Sequence, residues 1–523
     1  MYGVRALLTK CRARLKPIFP GAARVFRTRI TAGILGLTCP SLLESPDAMT
    51  QPPAATSDAS PTSDPTDDAP QPFDAIPQPP GSLILGNVPA FKADMLATLF
   101  EGQKTYGDRV RFRLLNKQAL FIAHPDDLNY VLIRNNRNFI KTTRGYRAMR
   151  QLLGNGLVTS EGDFWLRQRR IAQPSFHKKR IHGFAETMVD VAEKSAREWE
   201  ARLSAAEGGQ APVVRLSEEM TKITLDIVGF TLLSTELSSH SAKVNARLQF
   251  VLEEVTRRIR VPWSIPLSVP TPGNMRVNRA IAGLDEVVEG IIAERRAGDS
   301  REDLLTMLME ARDEETGEGM SDAQLRDEVM TIFLAGFETT ATALMWTFYL
   351  LSQHPEAEKT LHAELDEVLK GGRRPTLADL PRLEWTRMVI EESMRLYPPV
   401  PMLARMSVED DVIGGYEVPA DTFVIISPYV THRHPDFWES PETFDPERFR
   451  DPKAERPRFA YYPFLGGPRQ CIGKRFAMME AQLVLATLAS RFKLRVASDS
   501  PAEPNVTITL GVKDEISMHL ERR

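Results

Sequence analysis

One ten-residue stretch, Phe464-Leu465-Gly466-Gly467-Pro468-Arg469-Gln470-Cys471-Ile472-Gly473, constrains this chain more than any other, because it sets a cysteine in a loop suited to an anion. A cysteine binds metal or attacks carbon as its thiolate, and that anion needs hydrogen-bond donors and positive charge close by. Gly467 and Gly473 have no Cβ to keep backbone N–H groups from the sulfur, and Arg469 places a fixed charge two residues before it. Downstream, Phe476, Met479 and Leu483 recur at helical spacing, so the cysteine precedes a helix whose N-terminal dipole favours an anion. A buried structural cysteine is the plainer alternative. Phe, Gly, Arg, Cys and Gly at these intervals form a signature that chance rarely supplies.

A second constellation lies upstream. Ser321-Asp322-Ala323-Gln324 is a capping-box pattern, with serine at the cap and glutamine three residues on, and predicts a helix start. Leu325, Val329 and Phe333 keep one face apolar, and the pattern runs through Ala335-Gly336-Phe337-Glu338-Thr339-Thr340 to about His354, where Pro355 closes it. Gly costs ~1 kcal/mol relative to Ala in a helix, and threonine hydroxyls compete for backbone carbonyls. Something has to offset that cost, and an acid beside an alcohol can deliver protons. Taken alone, Glu-Thr-Thr fits a polar surface cluster equally well. Glu392-Ser393-Met394-Arg395 places a carboxylate and a guanidinium three apart on one helix face. By itself that is a surface pair of little worth. Here Leu396-Tyr397-Pro398-Pro399 follows, and later Phe444-Asp445-Pro446-Glu447-Arg448-Phe449. Trp165 and Arg169 are four apart, hence on one helical face. Arg433 sits in Thr431-His432-Arg433-His434-Pro435, whose histidines read as loop residues rather than metal ligands.

The Cys471 loop resembles F-x-x-G-x-R-x-C-x-G, the haem-binding signature of the cytochrome P450 superfamily of haem-thiolate monooxygenases, and Ala335 to Thr340 resembles its A-G-x-E-T-T motif. The likeness covers about Pro77 to the C-terminus. It implies haem b (iron protoporphyrin IX), with the Cys471 thiolate as axial iron ligand pushing electron density toward bound dioxygen. Phe464 would pack against the sulfur, and Arg469 would pair with a haem propionate. Trp165 and Arg169 match propionate contacts, and Arg433 resembles the arginine that meets the other propionate. A local widening beside Gly336 would make room for dioxygen, with Thr339 hydrogen-bonding the bound oxygen and Glu338 relaying protons from water. Glu392, Arg395 and Arg448 resemble a buried network that braces the Cys loop. The implied fold is mainly α with small β-sheets (α+β), the haem lying between the long helix and the helix after Cys471.

The implied activity is insertion of one oxygen atom from O2 into a hydrophobic organic substrate, by hydroxylation or epoxidation. The chain ends about fifty residues beyond Cys471, so electrons are expected from a separate ferredoxin or flavodoxin with its reductase. Arg167, Arg170, Lys178, Lys179, Arg180, Lys474 and Arg475 offer a basic docking face, or simply a solvated one. Phe333, Phe337, Val400, Met402 and Leu403 are the apolar candidates for the substrate pocket. The overall style is closest to soluble bacterial fatty-acid hydroxylases, which tilts the substrate toward fatty acids. A haem-thiolate peroxygenase or isomerase, or a non-catalytic haem sensor, is the alternative; the Glu338–Thr339 pair speaks against both.

Composition fits this reading. The 523-residue chain is 42% hydrophobic, enough for a large core, and its net charge of −3 points to no nucleic-acid partner. Three cysteines without framework spacing argue for a reducing compartment, and Cys11 and Cys39 are incidental. No internal repeat, dinucleotide fingerprint or zinc spacing is present. Residues 1–43 hold eight Lys and Arg and no acid, forming a basic leader or upstream extension. Residues 44–76 form a Pro/Ser/Asp-rich linker expected to be disordered. The apolar run Ile30 to Leu43 is shorter than the ~20 residues a bilayer needs and contains Pro40, so no transmembrane anchor is expected. The leader fits a transit peptide, a secretory signal, or an extension ahead of a start at Met49, the last being preferred. A cytoplasmic monomer is expected, organellar or peripheral if the leader is a targeting segment. Residues 77–523 form the catalytic domain, opening with a hairpin of Val110 to Leu115 and Ala119 to Ala123 around Asn116-Lys117. A long loop is expected where Pro262-Trp263-Ser264-Ile265-Pro266 and Pro270 to Gly273 break the periodicity.

Overall fold

The computed structural model describes residues 69–523 apart from 207–210, 235–246, 248–249, 252, 259–264, 299–300, 452–454 and 499. The leader, most of the linker, Cys11, Cys39, Met49 and Pro262-Trp263-Ser264 lie outside the described residues. The architecture is the expected one, helices around small sheets. Packed structure begins ahead of residue 77: Gln71 bridges Tyr416, and Phe73 and Ile76 are buried.

Strand β1 (Arg109–Leu114) alternates outward arginines with buried Val110 and Phe112, the period-two pattern of a half-buried strand. It pairs antiparallel with β2 (Lys117–Ile122) in a register that sets Leu114 opposite Lys117. The turn is therefore Leu115-Asn116 rather than Asn116-Lys117, and Leu115 takes a φ of 59°. That conformation is uncommon for a residue with a side chain, and the polar Asn116 masked it in the sequence. With β3 (Phe139–Ile140), β4 (Leu403–Ser407) and β5 (Phe423–Ile426) the sheet runs β1-β2-β5-β4-β3. It is antiparallel except where β2 meets β5.

The helices that bear on the site are α1 (Arg144–Leu153), α2 (Gly162–Ala172), α3 (Ala185–Ala205), α4 (Leu216–Leu233), α5 (Asp322–Gln353), α6 (Glu384–Leu396) and α7 (Lys474–Ala489). Helix α5 begins with the expected capping box: Gln324 N donates to Ser321 Oγ at 3.3 Å and Ser321 N to Gln324 Oε1 at 2.8 Å. It is long and apolar enough to cross a membrane, but its apolar window is 72% buried in protein, as befits a core helix. It packs against α4, α6 and α7, while α7 packs against α3 and α6.

No widening interrupts α5, which is α-helical throughout. The Thr339, Thr340 and Thr342 hydroxyls donate back to the carbonyls of Ala335, Gly336 and Glu338 at 2.7, 3.1 and 2.8 Å, which satisfies their polarity within the helix. Gly336 serves packing instead: a Cβ there would lie 3.1 Å from Val228 Cγ2 on α4. The hairpin β6 (Pro504–Val506) and β7 (Leu510–Val512) reaches back to α5, where Trp346 Nε1 donates to Leu510 O at 2.7 Å.

Candidate haem site

Cys471 N donates to Phe464 O at 2.9 Å and closes the loop. Gly467 has a φ of 71°, and a Cβ there would lie 2.3 Å from Leu132 O, so only glycine seats the loop on that segment. The backbone N–H groups of Gly473 and Lys474 point at the sulfur, and Arg169 and Lys474 bring positive charge to it. Burial still pushes the thiol upward against these groups. A coordinating metal would reverse that, because it deprotonates a thiol outright. Phe464 packs against the main core with Lys474 Nζ 5.7 Å from its ring centroid.

Cys471 is surrounded by protein in depth and yet accessible. Both hold only if the sulfur faces an internal space. On α5 the same contrast recurs: Ala335 is exposed between buried Leu334 and Phe337, and Ile332 and Thr339 are partly open. Residues 332, 335 and 339 fall on one helical stripe. Openings in two otherwise buried elements that pack together fit a flat group held between them. Among the described residues no cluster of three or more His, Cys, Asp or Glu could hold a metal ion. A single open thiol suits a cofactor whose ring supplies the remaining ligands. Phe333 and Phe337 belong to the packed core, with ring centroids 5.7 Å apart, and do not join the open stripe. Glu338 accepts from Thr509 Oγ1 at 2.8 Å, and burial raises its pKa.

A cluster of cations lies beside the loop. Arg469 Nη1 donates to Ser160 O at 3.1 Å, Nη2 pairs with Glu161, and the guanidinium lies 3.6 Å over the Trp165 ring. Lys141 Nζ donates to Leu157 O and Val158 O at 3.1 and 2.8 Å, and Arg405 Nη1 to the Tyr146 hydroxyl at 3.0 Å. Arg150 donates to Thr159 O. Burial, then repulsion from Arg469, holds Lys141 well below the usual lysine range, with Arg405 and Arg150 adding to it and Glu161 opposing. Burial likewise brings Arg469 down to about 10. The nearby Glu328 compensates little, because burial lifts its carboxyl to about 7. This surplus of buried positive charge fits the two carboxylate arms of haem, and Lys141, Arg405 and Arg469 are the residues that would hold them.

Trp165 and Arg469 thus come together. Arg169 reaches the loop itself, its Nη1 donating to Gln470 O at 3.0 Å. Arg433 does not join them. Its Nε donates to Glu442 at 3.1 Å and its guanidinium stacks 3.9 Å from the Tyr429 ring centroid, so it is committed elsewhere. Sequence reasoning passed over Lys141 and Arg405, whose signal is a cation within or just after an apolar strand segment, Phe139-Ile140-Lys141 and Leu403-Ala404-Arg405. Of the basic docking set, Arg167 pairs with Glu318, and Arg170 with Asp313 and Glu315. Lys178, Lys179, Arg180, Lys474 and Arg475 remain exposed.

Behind the loop, Arg395 Nε and Nη2 donate to Glu392 at 2.7 and 2.8 Å, both side chains being fully buried. Arg395 also donates to the carbonyls of His432, Pro441 and Thr443 at 3.0, 2.6 and 2.9 Å. Glu392 accepts from Asp445 N at 2.8 Å and lies 3.4 Å from Arg448 Nε. His432 Nε2 accepts from Tyr462 N at 2.9 Å, and burial keeps the ring neutral with a pKa of about 3.

Comparison with known proteins gives the same answer. The family profile "Cytochrome P450" matches residues 76–515. "Cyclooctatin synthase" of Streptomyces melanosporofaciens is 37% identical over 435 residues, covering 82% of this chain and 92% of its own. "Cyclooctat-9-en-7-ol 5-monooxygenase" of the same organism is 38% identical over 423 residues, covering 80% and 89%. "Pentalenene oxygenase" of Streptomyces avermitilis is 33% identical over 421 residues, covering 80% and 91%. Among solved structures, the cytochrome P450DA heme domain superposes with a TM-score of 0.78 at 28% identity, covering 87% of this chain and 99% of that one. The chain belongs to the cytochrome P450 family and is a monooxygenase of it.

Proposed function

We propose that the Cys471 thiolate would hold the haem iron and that the enzyme oxygenates a compact cyclic terpenoid with electrons from a separate redox protein. The observation that carries this is the accessible sulfur just ahead of α7, a helix that packs against the α5 helix bearing Glu338 and Thr339. When bound, haem supplies dioxygen activation and oxygen transfer. The chain's own residues do the rest. The Gly473 and Lys474 N–H groups hold the sulfur's charge. The Thr339 hydroxyl, now on Ala335 O, can turn into the open space and donate there. Glu338, next to it in sequence, holds a proton more readily than an ordinary carboxyl and can restore the one Thr339 gives up.

The names of the bacterial relatives, which refer to cyclooctatin, cyclooctat-9-en-7-ol and pentalenene, support a ring hydrocarbon over a fatty acid. Ile332, Ala335 and Val400, the residues left open there, are themselves apolar. The carbon-monoxide difference spectrum of the reduced holoenzyme tests the ligand: a band at the thiolate position is expected, and a histidine-like position overturns it. Thr339→Ala is expected to leave that band in place while diverting reducing equivalents into peroxide; retained coupling overturns the relay. Soret shifts on titration with cyclic terpenes are expected at lower concentration than with fatty acids, and the reverse order overturns the substrate class.

A further inference from the structure

Residues 154–161, between α1 and α2, form a strap whose backbone is held by two different parts of the molecule. Two of its N–H groups go to α5: Asn155 N donates to Asp327 Oδ2 at 2.7 Å and Leu157 N to Glu328 Oε2 at 3.1 Å. Its carbonyls go to the cations. Lys141 donates to Leu157 O and Val158 O, Arg150 to Thr159 O and Arg469 to Ser160 O, so four successive carbonyls each hold a positive group. Thr159 N and Ser160 N both fold back to Gly156 O, at 3.0 and 2.9 Å, which closes the segment into a tight turn. A Cβ on Gly154 would overlap the Asp327 carboxylate and one on Gly156 the Thr331 hydroxyl, so the strap lies flush on α5 with no room to slide.

Leu157 joins the two sets, its N–H on an acid of α5 and its C=O on the ammonium of Lys141. Moving the strap on α5 therefore moves the acceptors that aim the cations. Lys141 spends two of its three N–H donors there, and the third is what it can offer a carboxylate from outside. Asp327 makes its bonds to Asn155 N and Arg326, and lies eight residues, about 12 Å of helix, before Ala335 on the open stripe. Its influence on the haem site runs through the strap. We propose that Asp327 and Glu328 are positioning residues for the cofactor: they fix the strap whose carbonyls aim Lys141 and Arg469 at the haem carboxylates, so that strap closure and haem retention are coupled. Such coupling is reciprocal, so loosening the strap at α5 weakens the hold on haem, and removing a cation loosens the strap at α5. This rests on the haem reading above, but part of its test does not.

The test uses the holoenzyme and the variants Asp327→Ala, Asp327→Asn, Lys141→Met and the Asp327→Ala/Lys141→Met pair. Haem transfer to a stronger acceptor is expected to be severalfold faster from Asp327→Ala, with the carbon-monoxide band unmoved. Asp327→Asn keeps an acceptor for Asn155 N and should return the rate most of the way to wild type. The pair should lose haem more slowly than the product of the two single effects predicts, since both changes act on one strap. Amide hydrogen exchange reads the converse: Lys141→Met, at a residue that bonds neither Asn155 nor Asp327, should speed exchange at Asn155 and Leu157 severalfold. An unchanged transfer rate in Asp327→Ala, equal loss in Asp327→Asn, multiplicative effects in the pair, or unaltered exchange in Lys141→Met would each overturn the proposal. Should Asp327→Ala not load haem, the exchange result in Lys141→Met still decides whether the cations and α5 are joined through the strap. A wild type whose carbon-monoxide band sits at the histidine-like position would defeat the thiolate reading while leaving the exchange result standing.

Discussion

Around Glu392 and Arg395 every buried charge meets its partner inside the protein, through the carboxylate itself, the loop carbonyls and Asp445 N. Around Lys141 and Arg469 neighbouring cations oppose the buried charge, Arg405 acting on both and Arg150 on Lys141, with Glu161 as the counterweight to both. The second cluster includes Arg469 of the cysteine loop, while the first holds the His432 carbonyl, whose ring accepts from Tyr462 N just ahead of that loop. The difference between them separates folding from binding: a closed set of charges holds a shape, whereas an open set waits for an anion supplied from outside. Desolvation is met in the first by geometry alone, and in the second it would be met by the carboxylates of a bound haem.

The largest effect is expected where the closed set is opened. Glu392→Leu strands the Arg395 guanidinium in the interior and should cost about 3–5 kcal/mol in denaturant unfolding, with no haem retained. Replacing both partners, Glu392→Leu with Arg395→Met, should recover part of that loss; no recovery would mean the pair matters for packing rather than charge.

Next comes Glu328, whose carboxyl accepts from Leu157 N at 3.1 Å at the edge of the open set. Its folded pKa of about 7 lies above its ordinary 4.5. The folded state therefore holds the extra proton, its stability falls as pH rises from 4.5 through 7, and the loss at higher pH approaches about 3 kcal/mol. Glu328→Gln should flatten that slope, and an unchanged slope in urea titrations at several pH values would reassign it.

Opening the cation cluster should do the reverse of opening the closed set. Arg405→Met or Lys141→Met is expected to leave the haem-free protein as stable or more so, while weakening haem retention by roughly 1.5–3 kcal/mol, the range for hydrogen bonds to charged groups. Haem transfer to a stronger acceptor measures this, and loss of apoprotein stability instead would erase the distinction. The smallest effect belongs to Arg433→Met. Its exposed partner Glu442 and its Tyr429 stack should be worth about 1 kcal/mol of stability, with haem retention unchanged.

What the sequence made legible was local. The Cys471 loop and the Ser321 cap are written in consecutive residues, and the α5 boundaries followed from the cap and Pro355. What it hid depends on distant neighbours. Periodicity gave α5 an apolar face but could not say which stripe stays open, so Phe333 and Phe337 read as pocket when they are core. Arg433 sits in a suggestive local string, yet Glu442 and Tyr429 decide where its charge goes. Lys141 and Arg405 become a pair only because β3 and β4 lie side by side. Gly336 looked like room for a ligand and is room for α4.

The hydrogen bond from Thr509 to Glu338 joins the middle of the chain to its last strands. A ribosome therefore finishes the cysteine loop before it has made the residue that holds the Glu338 carboxyl. Until the final hairpin is made, a growing chain carries the Cys471 loop and a Glu338 carboxyl that has no Thr509 to hold it. A chain cut short of Pro504 would be frozen in that unfinished condition.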